Sequence, residues 1–240
     1  MDIKGFAVDV DGTITEDGGV ISLDAAYSLR WLEKMGYKVI LVSGRSAWEA
    51  LALSIYLGTT KVVVGENGGV VATSPLDMTL LADISHSLMA YDYLSNKISN
   101  VKRKLVFPRF TEVVLERTFD LDEGRRILDE SGIPVNINDS KYGYHLTHKD
   151  VNKAVGLKVA LKHLNMDTSQ IVAIGDSEID IPMFTACGYS VALGNAPDGL
   201  KKKANFSVKS SMGDGLVEAV QHIAERFMKI RLNRGAKNEL

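Results

Sequence analysis

Apolar residues along this chain fall into short runs and helical stripes that alternate. Ile3 and Phe6-Ala7-Val8 predict a buried strand beginning almost at the N-terminus. Ala25, Ala26, Leu29 and Leu32 then recur at helical spacing behind Ser22-Leu23-Asp24, and Gly36 stops that helix. Tyr37-Lys38-Val39-Ile40-Leu41-Val42 predicts a second buried strand, residues 46–57 a second helix capped by Gly58, and Val62-Val63-Val64 a third strand. Strand and helix taking turns in this way is the pattern of an α/β fold with a doubly wound parallel sheet.

The rhythm then changes. Residues 80–101 read as a helix, 112–117 as a strand, 122–131 as a short helix stopped by Gly132, and 135–138 and 142–146 as two extended pieces joined by a turn. One or two helices with about three strands make a small α+β module, placed at residues 82–150 and inserted in a core formed by 1–81 and 151–240. The alternation resumes with a helix at 151–164, a strand at Ile171-Val172-Ala173-Ile174, a short helix at 181–186 and a strand at Tyr189-Ser190-Val191-Ala192-Leu193. Asn205-Phe206-Ser207-Val208 is an edge-strand candidate, and residues 215–228 form a closing helix. The last dozen residues carry Arg231, Arg234 and Lys237 with few apolar neighbours and are expected to fray.

Composition narrows the classes. With 240 residues, 45% hydrophobic and 24% charged, the chain is long enough for a sizeable core and ordinary for a globular protein. A net charge of −2 gives no global field favouring nucleic acid or an anionic membrane, and no apolar run is long enough to cross a bilayer. Cys187 is the single cysteine, which excludes an internal disulfide and a cysteine-rich zinc site. Without a basic segment and apolar core at the N-terminus, the expectation is a soluble cytoplasmic protein.

The candidate chemistry gathers at strand ends. The first strand runs into Asp9-Val10-Asp11-Gly12-Thr13, where two aspartates separated by one residue are expected to face one spot. Two such carboxylates repel each other unless a cation lies between them. Ser43-Gly44-Arg45 ends the second strand, and Gly175-Asp176 with Asp180 ends the fourth; Lys153 opens the helix after the module. Taken singly, Ser43 reads as a capping serine, Lys153 as a surface lysine, and Asp180 either as a ligand or as the acid that begins a helix.

Together and in this order the four segments resemble the motifs of the haloacid dehalogenase-like phosphatase superfamily, over the whole chain. The resemblance implies a Rossmann-like core and a type II cap at 82–150; Glu66-Asn67-Gly68 is similar to a signature of the IIB branch, and the compact cap most resembles the archaeal phosphoglycolate phosphatases. Ile179-Asp180 stands where that branch commonly has Asn-Asp, which keeps the carboxylate and removes one supporting hydrogen bond. The roles implied are Asp9 as nucleophile, Asp11 as general acid and base, and Ser43, Gly44 and Lys153 as holders of the phosphoryl group. Mg²⁺ is the implied cofactor, on Asp9, the Asp11 carbonyl, Asp176 and, directly or through a second shell, Asp180.

The implied activity is hydrolysis of a small phosphorylated metabolite, 2-phosphoglycolate favoured, with sugar-phosphate phosphatase or phosphomutase as the alternative. A phospho-accepting signalling domain is disfavoured, because a lasting switch gains nothing from Asp11 or a cap. No nucleic-acid or membrane partner is expected, and a homodimer is left open. A substrate carboxylate needs a cationic or hydrogen-bonding partner, and the module offers Arg109, Arg117, Lys141 and His145.

Overall fold

The structure, a computed structural model, describes residues 1–140 and 142–229. Lys141 and the basic tail with Arg231, Arg234 and Lys237 lie outside the described residues. In chain order the first elements are β1 (Gly5–Val8), α1 (Leu23–Lys34), β2 (Lys38–Leu41), α2 (Ala47–Leu57), β3 (Val63–Gly65), β4 (Val70–Ser74) and β5 (Asp77–Leu80). The middle of the chain forms α3 (Ile84–Lys97), β6 (Val113–Leu115), α4 (Leu121–Ser131), β7 (Val135–Asp139) and β8 (Tyr144–His148). The remainder forms α5 (Lys153–His163), β9 (Ile171–Gly175), α6 (Ile181–Ala186), β10 (Tyr189–Ala192), α7 (Asp198–Lys201), β11 (Phe206–Ser207) and α8 (Met212–Ile223). None of the described helices is long and apolar enough to cross a membrane.

The chain divides into two compact units. The first takes Met1–Ile40, Leu57–Thr60 and the chain from Met166 onward. Its sheet has the order β11-β10-β9-β1-β2, and the β1–β9 and β9–β10 pairings are parallel. Phe6, Ala7, Val8 and Ile171 to Ile174 are fully buried, as expected of central parallel strands covered on both faces. Ser22 caps α1 by accepting the Ala25 N–H, and Ala25, Ser28, Leu29 and Leu32 form its buried stripe. Register sets the chemistry: Val8 lies opposite Ile174, and the Asp9 N–H donates to the Ile174 carbonyl at 3.0 Å. Asp9 and Asp176 therefore leave adjacent strands side by side.

The second unit takes Leu41–Tyr56 and Lys61–Asn165. Here the structure corrects the sequence reading at the third strand. β3 makes one parallel bridge, Val64 to Val42, and its ladder is antiparallel to β4, which pairs with β5. The cause is the turn between them, where Glu66, Asn67 and Gly68 all have positive φ (51°, 55° and 104°) and reverse the chain. Leu80 thus ends β5, and the helix expected from residue 80 begins at Ile84 behind the Asp83 cap.

α3 and α4 cover a three-stranded antiparallel sheet of order β6-β8-β7. Leu94, Leu115, Leu128, Ile137 and Leu146 lie in its own apolar cluster. The molecule is thus an α/β protein with a five-stranded parallel sheet and smaller antiparallel sheets.

Candidate active site

In the first unit, Asp9, Asp176 and Asp180 each offer a carboxylate oxygen, all within 4.8 Å of one another. Asp9 and Asp176 are 5% exposed and Asp180 is fully buried. Three buried carboxylates so close repel one another in low dielectric, and a hard, oxygen-seeking divalent cation is the partner that such a donor set fits. The Asp11 carboxylate is not in this group. It is exposed, where the chain turns after leaving β1 at Val8. An Asp11 contribution to a cation would come from its backbone carbonyl.

Asp176 is braced from two directions: Thr13 Oγ1 donates to its Oδ1 at 3.1 Å and Asn195 Nδ2 to its Oδ2 at 2.9 Å. Asn195 Nδ2 also donates to the Gly12 carbonyl at 2.9 Å, and its Oδ1 accepts the Met212 N–H. One amide thereby ties the Asp11 turn, Asp176 and the start of α8 together. Asp180 Oδ2 accepts from the N–H groups of Asp176 and Ser177 and from Ser177 Oγ, at 3.0–3.2 Å. Asp180 is therefore a loop brace as well as a member of the acidic group.

Gly12 is required by two constraints at once. Its φ is +80°, and a Cβ there would sit 2.5 Å from Asp176 Oδ2. Gly12→Ala is expected to displace Asp176 and to cost at least tenfold in activity, with a drop in melting temperature, measured by steady-state kinetics and thermal melts. Unchanged activity would show that the site tolerates movement of Asp176.

The second unit carries Ser43, Gly44 and Lys153. Ser43 is buried at the end of the β2 run, and its Oγ accepts the Arg45 N–H at 3.0 Å. Lys153 is 2% exposed and opens α5, whose N-cap Asn152 accepts the N–H groups of Ala154 and Val155. A lysine buried in the first helical turn sits at the positive end of the peptide dipoles, an arrangement that favours an anion nearby.

Beside Ser43 lies a polar network of residues far apart in sequence. Arg109 Nη1 donates to the Gly44 carbonyl at 2.6 Å and to Glu112 Oε1 at 2.7 Å. Glu112 also accepts from Asn67 Nδ2 at 3.1 Å and faces His145 Nδ1 at 3.0 Å. A carboxylate only accepts, so His145 Nδ1 carries the hydrogen; His145 Nε2 lies 2.9 Å from Ser140 Oγ. Burial alone would raise the Glu112 carboxyl, but His145, Arg109 and Asn67 outweigh it and hold the group below its usual range. Burial, then the charge of Glu112, pushes Glu66 up; its carboxylate accepts the N–H groups of Phe110 and Thr111.

Of the four residues put forward for a substrate carboxylate, Arg109 and His145 are held in this network and Arg117 pairs with Asp139 at 2.9 Å. Lys141 lies outside the described residues. Cys187 is a partly buried thiol that burial pushes up to about 12.

Comparison with known proteins agrees with this geometry. The family model for haloacid dehalogenase-like hydrolases matches residues 6–120 and 125–220. A protein of Nitrosopumilus maritimus named phosphoglycolate phosphatase is 47% identical over 96% of this chain and 100% of its own length. A protein of the same name from Methanothermobacter thermautotrophicus is 35% identical over 94% of this chain and 99% of its own. The crystal structure of Thermoplasma acidophilum 0175 superposes with a TM-score of 0.84 at 27% identity, covering 92% of this chain and 98% of that one. With its motifs at the strand ends where the sheet register puts them, the chain belongs to the haloacid dehalogenase-like hydrolases.

Proposed function

We propose that the protein is a Mg²⁺-dependent phosphomonoesterase of the cytoplasm whose favoured substrate is 2-phosphoglycolate, released as glycolate and phosphate. The observation that carries this reading is the group of three buried carboxylates, Asp9, Asp176 and Asp180, at the ends of two adjacent parallel strands. The names of the relatives in two archaea support the substrate. In functional terms residues 82–150 act as the cap and 1–81 with 151–240 as the catalytic core; the apolar cluster of α3, β6, α4, β7 and β8 supports a module with its own centre.

Asp9 is the nucleophile: its carboxylate attacks phosphorus, the ester oxygen leaves, and water then hydrolyses the aspartyl-phosphate. Exposed Asp11 protonates the leaving alkoxide and later takes a proton from the attacking water. Ser43 and the Gly44 backbone donate to phosphoryl oxygens, and Lys153 offsets the charge that builds on them. Asp9, the Asp11 carbonyl and Asp176 would hold the cation, with Asp180 bracing Asp176. When bound, Mg²⁺ supplies the positive charge that lets an anionic ester approach the carboxylates.

Turnover of p-nitrophenyl phosphate tests the reading. Many turnovers per enzyme with Mg²⁺ and none with EDTA are expected; a single stoichiometric phosphorylation would indicate a signalling domain, and full activity in EDTA would contradict the metal. Asp180→Ala is expected to raise the Mg²⁺ concentration for half-maximal activity about tenfold, as loss of a supporting residue does. Asp176→Ala should raise it further.

A further inference from the structure

We infer that Arg109 is a positioning residue for Ser43, acting through the Gly44–Arg45 peptide. The peptide is held at both of its polar ends. Its carbonyl accepts Arg109 Nη1 at 2.6 Å, and its N–H, that of Arg45, donates to Ser43 Oγ at 3.0 Å. A peptide unit is planar, so anchoring the carbonyl fixes the direction of the N–H on its other edge. A hydroxyl has one hydrogen; with the oxygen accepting from Arg45, that hydrogen points to another acceptor. Arg109 thus sets the orientation in which the Ser43 hydroxyl donates.

The anchor is itself immobilised. The Arg109 side chain is 7% exposed, and the same Nη1 reaches Glu112 Oε1 at 2.7 Å, with Glu112 held by Asn67 and His145. Its second terminal nitrogen lies 3.9 Å from Glu49, and Glu49 in turn accepts the N–H of Ser46, next after Arg45. A guanidinium presents its donors in a rigid fork, which suits it to a carbonyl and a carboxylate simultaneously. This engagement separates Arg109 from a residue that reads the carboxylate of a ligand.

The inference rests on the reading above, in which Ser43 donates to the transferred phosphoryl group. A double-mutant cycle tests it on the full chain with Mg²⁺, using p-nitrophenyl phosphate and 2-phosphoglycolate. Arg109→Ala is expected to lower kcat at least tenfold on both substrates, with kcat and kcat/KM falling together. Ser43→Ala should cost at least as much, and the double variant should match Ser43→Ala within about twofold, because without the hydroxyl there is nothing left to aim.

Arg109→Lys, which keeps the charge beside Glu112 without the fork, is expected to melt near the wild type and to fall between wild type and Arg109→Ala. It replaces the alanine variant in the cycle if that variant does not fold. Multiplying losses in the double variant would overturn the inference, and so would a loss confined to 2-phosphoglycolate, which would make Arg109 a reader of the substrate carboxylate. Wild-type rates in Ser43→Ala would overturn the role of Ser43 itself, and this inference with it.

Discussion

Asp9→Asn is expected to lower kcat more than a hundredfold, a loss of about 3 kcal/mol in transition-state stabilisation or more, while stability in EDTA holds or rises. Asp9 is nearly buried and shares a group of carboxylate oxygens, within 4.8 Å, with Asp176 and Asp180. Without a cation these anions repel one another, so a neutral, nearly isosteric amide relieves the fold as it removes the carboxylate proposed to attack phosphorus. A carboxylate kept for structure would behave in the opposite way, with turnover retained and the melting temperature lowered. Retention of more than about a hundredth of wild-type kcat contradicts covalent catalysis by Asp9. Asp11→Asn should be more impaired on 2-phosphoglycolate than on p-nitrophenyl phosphate, since p-nitrophenolate leaves without a proton.

The largest expected effect on stability belongs to Glu112→Gln. Removing this charge leaves Arg109 and His145 facing a neutral amide in a buried site, and breaking such a pair costs about 3–5 kcal/mol. For a chain of this length that is a fall of roughly 6–20 °C in melting temperature. The pH dependence follows from the direction of the shift. Glu112 is held below its ordinary value of 4.5, so its contribution is complete above pH 4.5 and is lost as pH falls through the lower folded value.

The part of the gap between wild type and Glu112→Gln that Glu112 itself contributes should therefore narrow in acid. Glu66 runs the other way. Its folded value is raised, so the stability that it confers is complete below 4.5 and declines as pH rises through the raised value; loss of the Glu112 charge reduces that part. Melting temperatures of both proteins from pH 3 to 8 check this, and equal values at pH 7 would refute it.

What was legible in the sequence follows from how each element is buried. β1 and β9 are covered on both faces and read as continuous apolar runs, so their terminal aspartates could be placed without a structure. β4 begins with the equally apolar Val70-Val71-Ala72, but the glycine-rich turn before it hid the strand. β5 is largely exposed, and Asp77-Met78-Thr79-Leu80 carries no run to read.

Polar contacts made across long stretches of chain were the hardest to foresee. Asn67, Glu112 and His145 lie 45 and 33 residues apart, and only folding shows that they meet. His145, put forward for a substrate carboxylate, is 2% exposed and faces Glu112 at 3.0 Å. Asn195 gave one faint signal, a Gly-Asn pair at the end of a strand, and the register of β9 and β10 explains its reach to Asp176.

The most direct test of the functional account is a comparison of kcat/KM for 2-phosphoglycolate and a panel of sugar phosphates at saturating Mg²⁺, read as phosphate release. The account predicts at least a tenfold preference for 2-phosphoglycolate, about 1.4 kcal/mol, and no release from any substrate in EDTA. A preference for sugar phosphates would contradict the assigned substrate and move the protein to a sugar-phosphate phosphatase or phosphomutase built on the same carboxylates.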